Sequence, residues 1–323
     1  MFESLKNKTV MITGATGLIG RALVKRLQSI DSKVIAVVRN TEKAKGLFGN
    51  GEEIDYIVSD VTELEAKRYD VDYIIHAASN TSSKAFINDP VGVINTAIEG
   101  TKRTLEIARL SNVKGYVYLS SMEVYGIPST DEKIDELHST NLNTMVPRSA
   151  YPESKRMCES LCASYASQYG VPAKVIRLTQ TFGPGVQYND GRVFAEFARC
   201  AIEGRNIILH TKGETKRSYL YTEDAVDAIL TVLLKGDSRE AYNAANEETY
   251  CSIYEMAEMV AKKVADGKIR VVIEDGDTSA LGYAPTLHMN LYTGKLKKLG
   301  WNPSIDLVSM YKNMVDDMKG SIR

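Results

Sequence analysis

Val10-Met-Ile-Thr-Gly-Ala-Thr-Gly-Leu-Ile-Gly20 is the stretch on which the reading of this chain turns. It begins as a short, apolar, β-branched strand. Three glycines then mark a sharp turn into a helix. Gly14 suits the tight turn, Gly17 lets the backbone approach a pyrophosphate, and Gly20 allows close packing of helix on strand. Thr16, Leu18 and Ile19 lie in the same turn and share that phosphate-facing role. The helix from Arg21 to about Ser29 points the positive end of its dipole at the turn. A glycine triplet alone is equally a plain strand–helix connection, so the reading needs a partner motif.

Outward from this turn, strand and helix signals alternate at short spacing. Strands are expected at Lys33–Val38, Ile54–Ser59, Tyr73–Ala77, Tyr116–Ser120 and Ala173–Leu178, with long helices over Asn95–Leu110 and Tyr151–Tyr169. That alternation predicts an α/β fold, a doubly wound parallel sheet. After Phe182-Gly-Pro-Gly185 the loops lengthen, and helices are expected at Val193–Glu203, Glu223–Leu234 and Ser252–Ala265. We therefore expect a dinucleotide-binding domain over residues 1–182 and a mainly substrate-binding lobe over 183–323, with segments that interleave.

Composition narrows the partners. The 323 residues carry a net charge of -1 and are 44% hydrophobic and 25% charged. That argues for a soluble globular enzyme or binding protein, against a nucleic-acid surface. No stretch approaches the roughly 18 apolar residues of a membrane span, and Met1–Lys8 lacks an apolar signal core. Four cysteines and four histidines are scattered; Cys158 and Cys162 are one helical turn apart. They form neither a disulfide framework nor a metal pattern. The expectation is a cytoplasmic, metal-free protein.

The residue closing the second strand bears on the nucleotide. An acid there accepts hydrogen bonds from the adenosine ribose and selects NAD. This chain has Arg39, planar and positive, suited to stacking on adenine and pairing with a ribose phosphate. NADP is favoured, with NAD still open. Asp60 and Val61 close the third strand. Asp60 either accepts from the adenine amino group or caps the next turn.

The partner motif lies mid-chain. Tyr118-Leu-Ser-Ser-Met-Glu-Val-Tyr-Gly126 follows the fifth strand, and Tyr151-Pro-Glu-Ser-Lys155 opens a helix. At i and i+4, Tyr151 and Lys155 share a helix face. A phenol with a pKa near 10 is a poor base at neutral pH. A nearby ammonium and a positive nicotinamide favour its phenolate. Tyr151 then takes a proton from a sugar hydroxyl while hydride leaves the same carbon, and Ser121 holds that hydroxyl in line. Ser120 reads as a turn residue and His76 as a packed loop histidine rather than an acid–base group.

With the glycine turn, these residues resemble the extended short-chain dehydrogenase/reductase family, the NAD(P)-dependent nucleotide-sugar epimerases and dehydratases. The resemblance covers nearly the whole chain and implies a Rossmann domain with catalytic Ser121, Tyr151 and Lys155. His76-Ala-Ala-Ser79 resembles the family's loop beside the cofactor, placing Ala77, Ala78 and Ser79 against it. Asn95 with Gly100-Thr101, Arg177 through Gly185, Lys216 through Asp224 and Leu299-Gly-Trp-Asn-Pro303 match further motifs. By this resemblance Arg217 contacts a nucleotide diphosphate. Gln180, Arg192, Ser82, Ser83 and Ser149 are candidate substrate contacts, each serine equally suited to a loop hydrogen bond. Relatives are often homodimers through these two long helices; Ala97, Leu105, Met157 and Leu161 serve either there or in the core.

The branch is less sharply marked. Where the dehydratases carry an acid pair, this chain has Met122 before Glu123, and methionine donates no proton. Glu123 matches the glutamate of the UDP-glucuronate decarboxylases, and Pro147-Arg-Ser-Ala-Tyr151 and Asp190-Gly-Arg-Val193 look most like that branch. Yet Gly282-Tyr-Ala-Pro285 lacks the arginine expected to meet a sugar carboxylate, and an unpaired buried carboxylate is expensive. Gln180 also replaces the family's asparagine. Epimerisation needs only Ser121, Tyr151 and Lys155 and is the first expectation. A 4-keto-sugar reductase or a decarboxylase follows, and a dehydratase comes last. A non-catalytic NADP sensor is the alternative from another class, against which the intact triad argues.

Overall fold

Strand β1 (Thr9–Thr13) owes its place to the β-branched Val10, Ile12 and Thr13 with Met11, all four buried with almost no exposed surface. Burial on both faces is what a parallel sheet demands of its central strand. The computed structural model describes residues 2–274 and 286–322. In chain order β1 is followed by α1 (Leu18–Gln28), β2 (Lys33–Val38), α2 (Thr41–Phe48), β3 (Ile54–Val58) and β4 (Tyr73–His76). Next come α3 (Ser83–Asn88), α4 (Pro90–Ser111), β5 (Gly115–Ser121), α5 (Ala150–Tyr169) and β6 (Ala173–Leu178). The second half holds β7 (Gln180–Phe182), α6 (Val193–Glu203), β8 (Ile207–Leu209), β9 (Lys216–Tyr221), α7 (Thr222–Lys235) and β10 (Ala241–Ala244). It ends with β11 (Asn246–Ser252), α8 (Ile253–Met259), β12 (Val271–Ile273), β13 (His288–Met289), α9 (Gly294–Lys298) and α10 (Leu307–Ile322).

The main sheet is fully parallel in the order β3-β2-β1-β4-β5-β6-β10. The order reverses between β1 and β4, which makes a crevice at the carboxyl ends of those strands the natural ligand position. Alternate residues feed opposite layers. Val10, Ile12, Val34 and Ala36 pack with Leu23 and Val24 of α1 and Val226, Ile229 and Leu230 of α7. Met11, Ile35 and Ile74 pack on the other side with Tyr116 of β5 and with α4 and α5, through Ala97, Leu105, Cys158 and Cys162. Ala97 and Leu105 are thus core residues, whereas Met157 is exposed on α5.

The chain crosses between its two halves. Helix α7 and strand β10, both beyond residue 183, complete the large sheet domain. The second lobe has its own core of Phe182, Phe194, Phe197, Tyr219, Met256, Met310 and Tyr311. It is built on a four-stranded sheet in which β9 pairs with β7, β11 and β13. The Trp301 motif has a structural purpose. Its indole is buried in the main core and donates to the Asp224 carbonyl at 3.0 Å, and Ser304 donates to the Asp224 carboxylate through Oγ at 2.6 Å. The tail is thereby fastened to α7. Ser252–Ala265 is not one regular helix: α8 starts from a Ser252–Glu255 capping box and passes at Val260 into a π-helical turn. Among the described residues, no helix is long and apolar enough to cross a membrane.

Candidate active site

The glycine turn sits at the sheet's crevice, and Gly14 and Gly20 each have a steric reason. Gly14 has a φ of +68°, and a Cβ there would lie 2.8 Å from the Ala78 backbone nitrogen. Only glycine lets the end of β1 pass so close to the Ala77–Ala78 segment. Gly20 differs from expectation: its missing Cβ makes room for the Gly14 carbonyl, which would otherwise stand 2.1 Å away. The first turn of α1 therefore rests on the loop itself. Leu18 packs on the second-lobe core and Ile19 on the main core, so both side chains point into protein. Helix α1 has no side-chain cap at Gly17. Its first amides are left for an anion, and a pyrophosphate fits there. Thr16 is partly buried in the same turn.

Arg39 and Asp60 stand side by side at the ends of β2 and β3. The Arg39 side chain is 83% exposed, with Nη1 4.0 Å from Asp60 Oδ2. Asp60 accepts from the Thr62 amide and hydroxyl at 3.0 and 2.8 Å, which lower its pKa. It is a turn cap here. Val61 is buried where a Cβ on Gly100 would strike it at 2.9 Å, which explains the glycine in α4. The Ala78 amide donates to Thr13 Oγ1 at 3.2 Å, holding the Ala77–Ser79 loop against β1. His76 Nδ1 lies 2.7 Å from the same Thr13 hydroxyl. Burial, and then Lys155, pull its pKa down to about 3, so it is neutral.

Ser121 ends β5, and Tyr151 and Lys155 face it from the start of α5. The Ser121 hydroxyl accepts from the Glu123 amide at 3.2 Å and caps the 3-10 turn Met122–Tyr125. Lys155 is only 3% exposed. Its Nζ donates to the Leu119 carbonyl at 2.7 Å and lies 5.7 Å from the Tyr151 ring centre. Burial pulls the amine down to about 8. The Tyr151 phenol is pushed well above its usual range by burial and by Glu123, while Ser121 and Arg148 draw it back. Two cations thus lie near the phenol, Arg148 and Lys155, the second giving its hydrogen bond to a strand carbonyl.

Glu123 and Arg148 form a bidentate pair, Nη1 to Oε2 at 2.7 Å and Nη2 to Oε1 at 3.2 Å. The guanidinium lies 5.5 Å over the Phe86 ring, and Phe86 stacks on Tyr151 at 4.3 Å and 17°. Beneath the triad, Ser120 donates to Glu159, which pairs with Arg177 through Nε at 3.0 Å and Nη2 at 2.7 Å. Ser120 is structural, and Arg177 ties β6 to α5 and, through Tyr125, to the loop after β5. Met122 is buried with Tyr125, Ile134 and Met289.

Across the crevice, Gln180 of β7 and Arg217 of β9 meet, with Nη1 and Oε1 3.5 Å apart. Arg217 Nε is buried and has no hydrogen-bond partner among the described residues. A buried donor of this kind suits a diphosphate oxygen. Arg192 is held by Asp190, Nη2 to Oδ2 at 2.5 Å. Ser149 gives its hydroxyl to the Asn143 carbonyl at 2.7 Å, a loop bond. Ser82 is exposed ahead of α3. The side chain of Ser83 and the stretch Gly282–Pro285 lie outside what the structure describes.

A helix start without a side-chain cap, and a serine, tyrosine and lysine gathered where β5 ends and α5 begins, make up the candidate active site. The model of the NAD dependent epimerase/dehydratase family matches residues 10–245. The chain belongs to that family. It is accordingly an NAD(P)-dependent enzyme of the nucleotide-sugar epimerase/dehydratase group. It is 29% identical over 304 residues to UDP-glucuronic acid decarboxylase 1 of Xenopus tropicalis, covering 93% of this chain and 69% of that one. It is 28% identical to UDP-glucuronic acid decarboxylase 5 of Arabidopsis thaliana, covering 97% and 90%. The fold is shared with UDP-glucose 4-epimerase of Thermotoga maritima, at a TM-score of 0.83, 21% identity and coverage of 98% and 100%. It is also shared with a dTDP-glucose 4,6-dehydratase of Streptomyces venezuelae, at 0.79, 20% identity and coverage of 97% of each chain.

Two members of the site escaped sequence reasoning. Arg148 had a signal: it lies one helical turn before Tyr151, a spacing that brings side chains together. Phe86 had none, because its contact with Tyr151 is made across 65 residues by the packing of α3.

Proposed function

We propose that this enzyme acts on nucleotide-diphosphate sugars by removing and returning hydride at a hydroxyl-bearing ring carbon, as an epimerase. What carries the reading is the meeting of Ser121, Tyr151 and Lys155 beside a position 122 whose side chain, Met122, is buried and donates no proton. The dinucleotide, when bound at the α1 turn, supplies the hydride acceptor and donor. Tyr151 exchanges the proton of the sugar hydroxyl, and Ser121 keeps that hydroxyl in line with it. Arg217, with its spare buried donor, holds the diphosphate, and Gln180 reaches the sugar from the neighbouring strand. Exposed Arg39 favours NADP through the ribose phosphate, with NAD the alternative. Exposed Met157 supports a homodimer through α4 and α5.

Glu123 favours a second reading, a decarboxylase, since the curated relatives carry that name. Incubating the protein with UDP-, dTDP-, GDP- and CDP-sugars, their 4-keto forms and uronates, with NAD, NADP or NADPH, separates the readings. A changed sugar configuration supports the epimerase, released carbon dioxide the decarboxylase, and net oxidation of added NADPH a keto-sugar reductase. Undiminished turnover by Tyr151→Phe overturns the mechanism. Arg39→Asp should weaken NADP more than NAD; equal losses remove the cofactor argument.

A further inference from the structure

The Tyr151 phenol is not served by Lys155 alone. Its ring is covered by Phe86 of α3, with Val93 of α4 in the same apolar cluster. The Arg148 guanidinium also lies over the Phe86 ring, 5.5 Å from its centre, and forks around the Glu123 carboxylate. The charged groups facing the phenol are therefore Glu123 from the turn after β5, Arg148 from the turn before α5 and Lys155 from α5 itself. The neutral hydroxyls of Tyr118 and Ser121 face it from β5. The charged side chain of α3, Lys84, is exposed. A bare carboxylate at position 123 would oppose the phenolate; one paired with a guanidinium opposes it far less.

We propose that Arg148 is a positioning residue for the Tyr151 proton step, clamping the Glu123 carboxylate and setting its own cation beside the stacked Phe86–Tyr151 pair. This rests on Tyr151 being the proton-exchanging group, as proposed above. It accounts for the cost of a half-buried ion pair beside the triad. It also separates two roles, with Lys155 braced on the Leu119 carbonyl and the Arg148–Glu123 pair balancing charge at the hydroxyl. The directions agree, since Glu123 raises the phenol's pKa and Arg148 lowers it.

The test places difluorotyrosine at position 151 in the full-length protein and follows its fluorine NMR signal against pH. The acidified phenol brings the midpoint into range, and the signal needs no turnover. Arg148→Gln should raise the midpoint by about one unit, and Glu123→Gln should lower it. The double variant should return near the parent value, and Arg148→Lys should fall between parent and Arg148→Gln. In the unlabelled enzyme the acid limb of the kcat/KM profile should move with these midpoints. An unchanged midpoint in Arg148→Gln, or one raised as much in the double variant as in the single, overturns the proposal. Should Arg148→Gln not fold, Glu123→Gln and Arg148→Lys decide, because a midpoint not lowered by Glu123→Gln overturns it too. If no nucleotide sugar turns over, the proposed function fails while this titration still gives its answer.

Discussion

Replacing Lys155 by methionine should abolish turnover and change how stability depends on pH. Lys155 is 3% exposed and gives one hydrogen bond, to the Leu119 carbonyl. Burial lowers its amine from 10.5 to about 8. A depressed folded-state value means the charged lysine weakens the fold below pH 8. That penalty is relieved as pH rises from about 8 towards 10.5, where the unfolded chain also loses its proton. At about 1.36 kcal/mol per unit, the difference is on the order of 3 kcal/mol. Methionine keeps the stem's bulk and adds no charge. It leaves the Leu119 carbonyl short of a donor, which costs about 1–3 kcal/mol at every pH. The variant should therefore be comparable to or more stable than the parent at pH 7, and the parent should gain roughly 3 kcal/mol on it by pH 10.5. Urea unfolding followed by circular dichroism across that range reads the gap. Buried tyrosines that titrate at the upper end are common to both proteins and cancel. Parallel stability curves would show that the lysine is not held down by its surroundings.

Other perturbations have equally definite outcomes. Gly20→Ala puts a methyl 2.1 Å from the Gly14 carbonyl, so stability should fall by roughly 1–3 kcal/mol. Calorimetry should show dinucleotide affinity falling about tenfold or more, and full-strength binding by this variant would refute the steric account. Glu159→Gln leaves Arg177, whose side chain is only 14% exposed, without its carboxylate. A loss of about 3 kcal/mol is expected in urea, and a loss under about 1 kcal/mol would mean the pair is well solvated. Trp301→Ala removes an indole buried to 2% that also donates to Asp224. It should cost about 3–5 kcal/mol and free the C-terminal tail to early proteolysis; an unchanged cleavage pattern would argue against the staple.

Much of this was legible locally. The strand–turn–helix at Val10–Gly20 is specified by β-branched residues and glycines within eleven positions, and Ala173–Leu178 and Val193–Glu203 end where their patterns end. Tyr151 and Lys155 share a face because helical period is a local property. Short strands such as β7 and β10 were not legible, since three or four residues carry no usable period and gain their hydrogen bonds only from β9 and β6.

The sequence by itself determined the fold class, and the glycine turn and the shared helix face of Tyr151 and Lys155 were readable in it, because backbone chemistry and side-chain spacing suffice for each. Tertiary structure alone decided the electrostatics. Lys155 faces Leu119, Phe86 roofs Tyr151, and Arg148 stands with Glu123 at the phenol because α3, β5 and α5 converge there. Burial and the pairing of charges depend on neighbours far apart in the chain, and those two quantities set whether a tyrosine gives or takes a proton.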